Sequence, residues 1–341
     1  MAYLLRNLYL INFQAYYMNR FFKIFIGIIL ALLIAFVGFF FWASSSVYPE
    51  KEYDKIIQTK IENSVENDAI FSLMTYNIGY LSGMTNNLPI AKPKSLFDDN
   101  LAKVKTVLQL LNIDILAFQE IDYASARSFD INQQMEIAKL GYPFVAQTVN
   151  WDKRYVPFPY FPISMHFGHV YSGQSVLSHF PIKSQKRIVL PAVDNAPFYW
   201  TTFYLDRLAQ VVEIQIKNRT VIVINVHLEA YDKPTRALQT KEVLALYNSY
   251  KNEYPTLLVG DFNSDIKFPN ASIAPIINNP DIGIAAFKAP YPNTYNSINP
   301  TERIDYIFYN KNFIEEMGSR VLTEMGDASD HLPLMIRFKL K

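Results

Sequence analysis

Leu257-Leu258-Val259-Gly260-Asp261-Phe262-Asn263-Ser264 reads as an apolar strand that ends on a carboxylate and an amide two positions apart. Side chains along a strand alternate between two faces, so Asp261 and Asn263 share a side if the chain stays extended. Gly260 leaves room beside them for a close approach by substrate or by another backbone. Taken alone, Asp and Asn at such a point also serve a hairpin or a helix start. Recurrence of the same arrangement along the chain decides between these readings.

Phe71-Ser72-Leu73-Met74-Thr75-Tyr76-Asn77 ends an apolar run with an amide, and Leu116-Ala117-Phe118-Gln119-Glu120 ends another with an acid. Val221-Ile222-Val223-Ile224-Asn225-Val226-His227 delivers an imidazole in the same way. In Arg303-Ile304-Asp305-Tyr306-Ile307-Phe308, Asp305 lies on an apolar strand, where an unpaired charge costs several kcal/mol and calls for a cation, metal or histidine beside it. His331 in Ser329-Asp330-His331 is the natural partner, and Asp330 offers a second carboxylate there. A glutamate oxygen, an amide oxygen and waters suit Mg²⁺ or Mn²⁺. The chain has no cysteine, so thiolate sites, disulfides and cysteine nucleophiles are excluded, and any metal sits on oxygen or imidazole. His166, His169 and His179 lie in aromatic or loop segments and receive no role.

Apolar alternation predicts strands over 70–77, 114–119, 174–179, 209–216, 220–227, 255–260, 304–309 and 332–339. Helical periodicity places Leu101, Val104, Leu108 and Leu111 on one face of 98–111, a second helix over 234–248 opens with Pro234, and 130–140 is weaker. Lys217-Asn218-Arg219 reads as a hairpin turn. Many strands with few helices between them point to two sheets packed face to face with helices outside. A doubly wound parallel sheet is disfavoured, because 209–216 and 220–227 leave no room for a crossover helix.

Residues 24–43 form 20 consecutive positions without a charge, enough for a helix to cross a bilayer. Arg6, Arg20 and Lys23 precede the run, whereas Glu50, Lys51, Glu52, Asp54 and Lys55 follow it. That bias predicts a short cytoplasmic N-terminus over 1–23 and everything beyond the anchor outside the cytoplasm. A cleaved signal peptide is the rival reading, with Ala43-Ser44-Ser45 as small residues for cleavage. Met18-Asn19-Arg20-Phe21-Phe22-Lys23 is itself a complete basic start, so translation from Met18 is a further expectation. Residues 44–68 read as a linker and 69–341 as the catalytic domain. The 341-residue chain carries 32 basic and 31 acidic residues, and three of the basic ones precede the anchor, so the outer domain is close to neutral. No field of a dedicated nucleic-acid binder is present.

In sequence order, Tyr76-Asn77, Gln119-Glu120, Asn225-Val226-His227-Leu228, Gly260-Asp261-Phe262-Asn263, Arg303-Ile304-Asp305-Tyr306 and Ser329-Asp330-His331 resemble the endonuclease/exonuclease/phosphatase superfamily, which includes DNase I-like nucleases, inositol polyphosphate phosphatases and sphingomyelinases. The resemblance covers residues 70 to 341. It implies a four-layered α/β/β/α sandwich and Mg²⁺-dependent cleavage of a phosphoester. By the same resemblance Glu120 is the principal metal ligand and Asn77 assists at metal and phosphate. Asp261 and Asn263 orient or activate the attacking water, and His227 and His331 contact the phosphoryl oxygens. Asp305 and Asp330 position His331 or share in metal binding, with Asp261 and His331 both open as the general base.

Substrate choice is expected in loops, above all in residues 151–171, whose aromatics and prolines are too irregular for a regular element and could wall the cleft or pack on the surface. Arg207 and Arg236 are further candidate phosphate contacts. A membrane-anchored phosphodiesterase or phosphatase acting outside the cytoplasm, with lipid head groups among its candidate substrates, is the favoured reading. A surface nuclease degrading DNA or RNA and a catalytically silent binding module are the alternatives. No obligate protein partner is inferred.

Overall fold

The computed structural model describes residues 1–61 and 69–341, the side chains of residues 2, 4, 5, 7 and 8 excepted. The chain divides into two compact units, residues 1–45 and 46–341. The first is the helix α1, Ala2–Ser44, within which Tyr9–Ser44 contains an 18-residue window of mean hydropathy 3.0 and is long and apolar enough to cross a membrane. A signal sequence has the same properties. The helix runs well past the expected 24–43, because nothing in residues 2–23 breaks it: no proline or glycine occurs there.

In the second unit the strands are β1 Asp54–Gln58, β2 Phe71–Asn77, β3 Ile115–Asp122, β4 Phe144–Val156, β5 Gly168–Ser178, β6 Ile182–Val189, β7 Leu208–Ile216, β8 Arg219–His227, β9 Thr256–Asp261, β10 Ile282–Ile284, β11 Asp305–Asn310, β12 Ile314–Val321 and β13 Leu334–Leu340. The helices are α2 Lys94–Leu111, α3 Gln133–Ala138, α4 Phe198–Thr201, α5 Lys233–Tyr250 and α6 Ala274–Ile277. The strands form a seven-stranded sheet ordered β1-β4-β5-β3-β2-β13-β12 and a six-stranded sheet ordered β10-β11-β9-β8-β7-β6. Each sheet has one parallel pair, β2 with β3 and β8 with β9, and each pair is joined by a crossover helix, α2 and α5 respectively. All other pairs are antiparallel, and β7 and β8 meet in a two-residue turn at Lys217-Asn218.

Strand alternation sorts the apolar residues into layers. Leu73, Ala117, Val223, Val259 and Ile307 fill the space between the sheets with Val176, Val212 and Ile336. Their neighbours point outward: Met74, Leu116 and Phe118 meet Val104 and Leu108 of α2, while Ile222, Ile224 and Leu258 meet Val243 and Tyr247 of α5. The result is the α/β/β/α sandwich. Asp232 caps α5, accepting from the Thr235 N–H at 2.8 Å, with Pro234 in the first turn.

Two expectations require correction. The stretch 44–68 is not a linker throughout: Asp54–Gln58 pairs antiparallel with Phe144–Thr148 as an edge strand, and residues 62–68 lie outside the described residues. Residues 151–171 are irregular only between β4 and β5, because Trp151 to Val156 and Gly168 to Tyr171 pair across the two strands.

Gly260 has φ +134°, and a Cβ there would lie 2.0 Å from the Val226 carbonyl oxygen, so the close approach it permits is that of backbone in β8. Gly260→Ala should therefore destabilise the domain by at least about 2 kcal/mol, through strain and overpacking together. A urea midpoint unchanged from wild type would contradict this packing.

Candidate active site

The alternation that builds the core also builds the site. On the inner faces, aliphatic side chains give way to polar ones at one end of the sandwich: Leu73 is followed by Thr75 and Asn77, Ala117 by Gln119, Val223 by Asn225 and His227, and Val259 by Asp261. The strand pairing aligns them. His227 lies opposite Asp261 in the parallel pair, and Asp305 opposite Asp261 in the antiparallel one. Glu120 should face away from Gln119, but the β3 register shifts between Phe118 and Ile121, and Glu120 takes φ +50°. That bulge turns its carboxylate into the same cleft.

Residues from the two sheets touch here. Asn77 Nδ2 donates to Asp261 Oδ2 at 3.0 Å and to Glu120 Oε1 at 3.3 Å, while its Oδ1 accepts from the Gly79 N–H. Asn86 Nδ2 donates to Glu120 Oε2 at 2.9 Å. The backbone N–H of Asn263 donates to Asp261 Oδ1 at 2.8 Å, and its amide donates to the Leu228 carbonyl. His331 Nδ1 lies 3.0 Å from Asp305 Oδ2, and its Nε2 lies 3.8 Å from Asp261 Oδ2. Asp330 lines the cleft beside them. Thus all eight residues marked out by the sequence, Asn77, Glu120, His227, Asp261, Asn263, Asp305, Asp330 and His331, gather at one end of the sandwich.

The two histidines have opposite electrostatic fates. Arg207 Nη1 lies 2.7 Å from His227 Nε2, and since a guanidinium only donates, Nε2 accepts and the ring proton belongs on Nδ1. Burial, then the charges of Arg207 and His331, hold His227 well below the usual histidine range. Its Nδ1 is buried without a hydrogen-bond partner among the described residues, while Nε2 lies 3.7 Å from Glu120 Oε1 and 3.6 Å from Asp261 Oδ2. Burial alone would lower His331 too, but Asp305 and then Asp261 outweigh it and hold the imidazole well above its usual range. Burial pushes Asp261 up to about 7, against the pull of His331 and with the help of Asp305. Glu120 is raised by burial and by the charge of Asp330.

Carboxylates that resist ionisation together call for a cation, and the oxygen and imidazole donors fit a hard divalent ion. Ligand atoms of Asp261, Asp305 and His331 lie within 4.8 Å of one another. His331 already neutralises part of that set through Asp305. Among the described residues, Glu120 meets only amide groups at hydrogen-bond distance and Asp305 Oδ1 has no hydrogen-bond partner.

Arg207 and Arg236, candidate phosphate contacts from the sequence, are buried at the cleft, whereas Asn86 and Arg303 had no such assignment. Arg207 is held by Glu229 at 3.3 Å and by the Tyr204 hydroxyl at 2.8 Å, and Arg236 donates to the carbonyls of Glu229 and Ala230. The hairpin register, with Leu208 opposite His227, was a signal that could have placed Arg207 beside the histidine. Asn86 sits in a loop with no periodicity to betray it. Arg303 is fully buried and clamps the carbonyls of Ala285, Ala286, Pro292 and Asp305. His166, His169 and His179 do not line the cleft.

The cleft holds about 690 Å³ and continues from the polar end into a wall of aromatic rings including Trp151, Phe158, Phe167 and Trp200.

The model of the Endonuclease/Exonuclease/phosphatase family matches residues 74–331. An endonuclease/exonuclease/phosphatase from Beutenbergia cavernae DSM 12333 superposes with a TM-score of 0.57 at 19% identity, covering 80% of this chain and 72% of that one. The human Nocturnin catalytic domain with bound sulfate gives 0.56 at 18% identity, over 86% of this chain and all of the other. A mannosyl-6-phosphatase from Bacteroides thetaiotaomicron VPI-5482 gives 0.54 at 16%, over 79% and 99%. These likenesses establish the fold. No curated protein matches the sequence.

Because His331 is raised by its carboxylates, the ion pair adds stability that is full below the unfolded histidine value of about 6.5 and is lost as pH rises through the folded one. In EDTA, the gap in melting temperature between wild type and Asp305→Asn should be wide near pH 6 and narrow at alkaline pH. A gap that does not change with pH would contradict the pairing.

Proposed function

The chain belongs to the endonuclease/exonuclease/phosphatase family, and from that premise we propose that it is a membrane-anchored, divalent-metal-dependent phosphoester hydrolase whose catalytic unit faces outside the cytoplasm. The observation that carries the catalytic part is the convergence of Asn77, Glu120 and Asp330 with Asp261, Asp305 and the two unlike histidines in one cleft. Glu120, with Asn77 and Asp330, would hold Mg²⁺ or Mn²⁺, which lowers the pKa of a bound water and neutralises charge gathering on the phosphoryl oxygens.

The residues divide the remaining work. His227 turns Nε2 toward the centre of the site, 3.7 Å from Glu120 Oε1 and 3.6 Å from Asp261 Oδ2, and Arg207 beside it supplies the cationic donor that faces the phosphoryl oxygens. Cationic His331, oriented by Asp305, faces the same oxygens. Asp261 and Asn263 hold the attacking water. Asp261 takes the water's proton, since His331, held cationic beside Asp305, has no free lone pair to accept one.

Arg6, Arg20 and Lys23 ahead of the apolar run favour a cytoplasmic N-terminus. The near-neutral catalytic unit favours lipid head groups or small phosphoesters over nucleic acid as substrate.

Glu120→Gln should lower Mg²⁺-dependent hydrolysis of a bis-ester by roughly 10²–10³-fold, the scale of losing one electrostatic stabiliser, with circular dichroism and melting temperature preserved. Near-normal turnover in that variant would refute the assignment. EDTA should abolish wild-type activity and Mg²⁺ restore it. Parallel incubation with plasmid, sphingomyelin and bis-ester distinguishes the substrates, and rapid nicking of the plasmid alone would favour a nuclease. For the topology, protease added to intact cells should remove the catalytic unit while sparing a cytoplasmic control protein; full protection would reverse the orientation.

A further inference from the structure

Two loops at the mouth of the cleft carry apolar side chains into solvent. Pro157-Phe158-Pro159-Tyr160-Phe161-Pro162-Ile163 follows β4: Phe158 packs on Phe167 and lines the cleft, while Phe161 is 83% and Ile163 70% exposed. In the second loop Trp200 lines the cleft, stacked on Tyr204 at 4.0 Å, while Phe198 is 71% and Tyr199 57% exposed. Each loop thus turns one set of rings into the cleft and leaves another outside it. Large apolar groups gathered at the rim of a site mark a surface that something covers.

Charge identifies the covering phase. No Asp, Glu, Lys or Arg occurs between Arg154 and Lys183, or between Asp194 and Asp206. A nucleic acid tracking over this rim would need cations along it. Rings and aliphatics without charge suit the interfacial region of a bilayer.

Chain connectivity agrees. The backbone N–H groups of Val47 and Tyr48 donate to the buried Asp152 carboxylate at 2.9 and 2.8 Å, and the Tyr53 hydroxyl joins them at 3.0 Å. In the sequence only Ser45 and Ser46 separate α1 from Val47. From Asp152, β4 runs about 13 Å to Val156, where the first loop begins.

We propose that this rim is a bilayer-docking surface: residues 157–163 and 198–199 enter the interface of the membrane that holds α1, so that the cleft opens onto phosphoesters carried by membrane lipids. This rests on the membrane-anchored phosphoesterase reading above.

The chain has no cysteine, so a single introduced thiol is a unique label. Full-length Phe161→Cys, carrying an environment-sensitive fluorophore and reconstituted in phosphatidylcholine–phosphatidylglycerol vesicles, should show blue-shifted emission. Replacing part of the lipid with brominated lipid should quench it about twofold or more. The same label at exposed Leu110, at the opposite end of α2 from the cleft, should stay water-like and unquenched. Emission at 161 matching that at 110 would overturn the proposal, as would a shift produced by oligothymidylate and not by lipid. Soluble bis-ester hydrolysis of the labelled protein is measured alongside. If it is absent in wild type as well, the phosphoesterase reading fails, while the quenching still decides docking.

Discussion

A hydrogen bond between two amides in the middle of the sandwich fixes everything above it. Gln119 Nε2 of one sheet donates to Asn225 Oδ1 of the other at 2.6 Å. Asn225 Nδ2 donates back to the Phe118 carbonyl, and Gln174 Nε2 reaches the Asn225 carbonyl. Below this layer the inner faces are aliphatic and tolerate small slides. At the amide layer they do not, because a shifted sheet would leave buried polar groups unpaired at about 1–3 kcal/mol each. The layer therefore sets the offset of one sheet against the other. That offset is what brings Asn77 within 3.0 Å of Asp261.

Above the amides, the site concentrates charge that a hydrophobic sandwich would otherwise exclude. The opposite states of His227 and His331 arise from their neighbours, one facing a guanidinium and the other a pair of carboxylates. Backbone strain accompanies this chemistry: Glu120 and Asn263 both have positive φ near +50°. Such conformations persist only where the surroundings hold them. Here Asn77 and Asn86 grip the Glu120 carboxylate, and Asn263 is tied to Asp261 and Leu228.

The central strands were legible because both their faces are covered. β2, β3, β8, β9 and β11 are rich in apolar residues and carry the site's residue types at or just beyond one end, and β7 shows apolar alternation. Four of the unforeseen strands, β1, β6, β10 and β12, lie at the sheet edges. An edge strand has one hydrogen-bonded partner and a face open to water, so its sequence is short or charged, as in Ile182-Lys183-Ser184-Gln185-Lys186-Arg187. β4 was missed for a different reason: its polar residues Gln147, Asn150 and Asp152 are buried through long-range hydrogen bonds or packing that no local pattern reveals.

Local chemistry determined which residues make the site, because alternation along a strand commits Asn77, His227, Asp261 and Asp305 to the faces that carry the aliphatic core. It also determined that the N-terminal segment is apolar enough to leave water. Only the tertiary structure decided how those residues are tuned. The bulge that turns Glu120 inward, the Arg207 that sets the His227 tautomer and the Asp305 that charges His331 all depend on sheet offset and loop closure. Those are contacts between residues far apart in sequence, and their energies exist only once the two sheets have closed on each other.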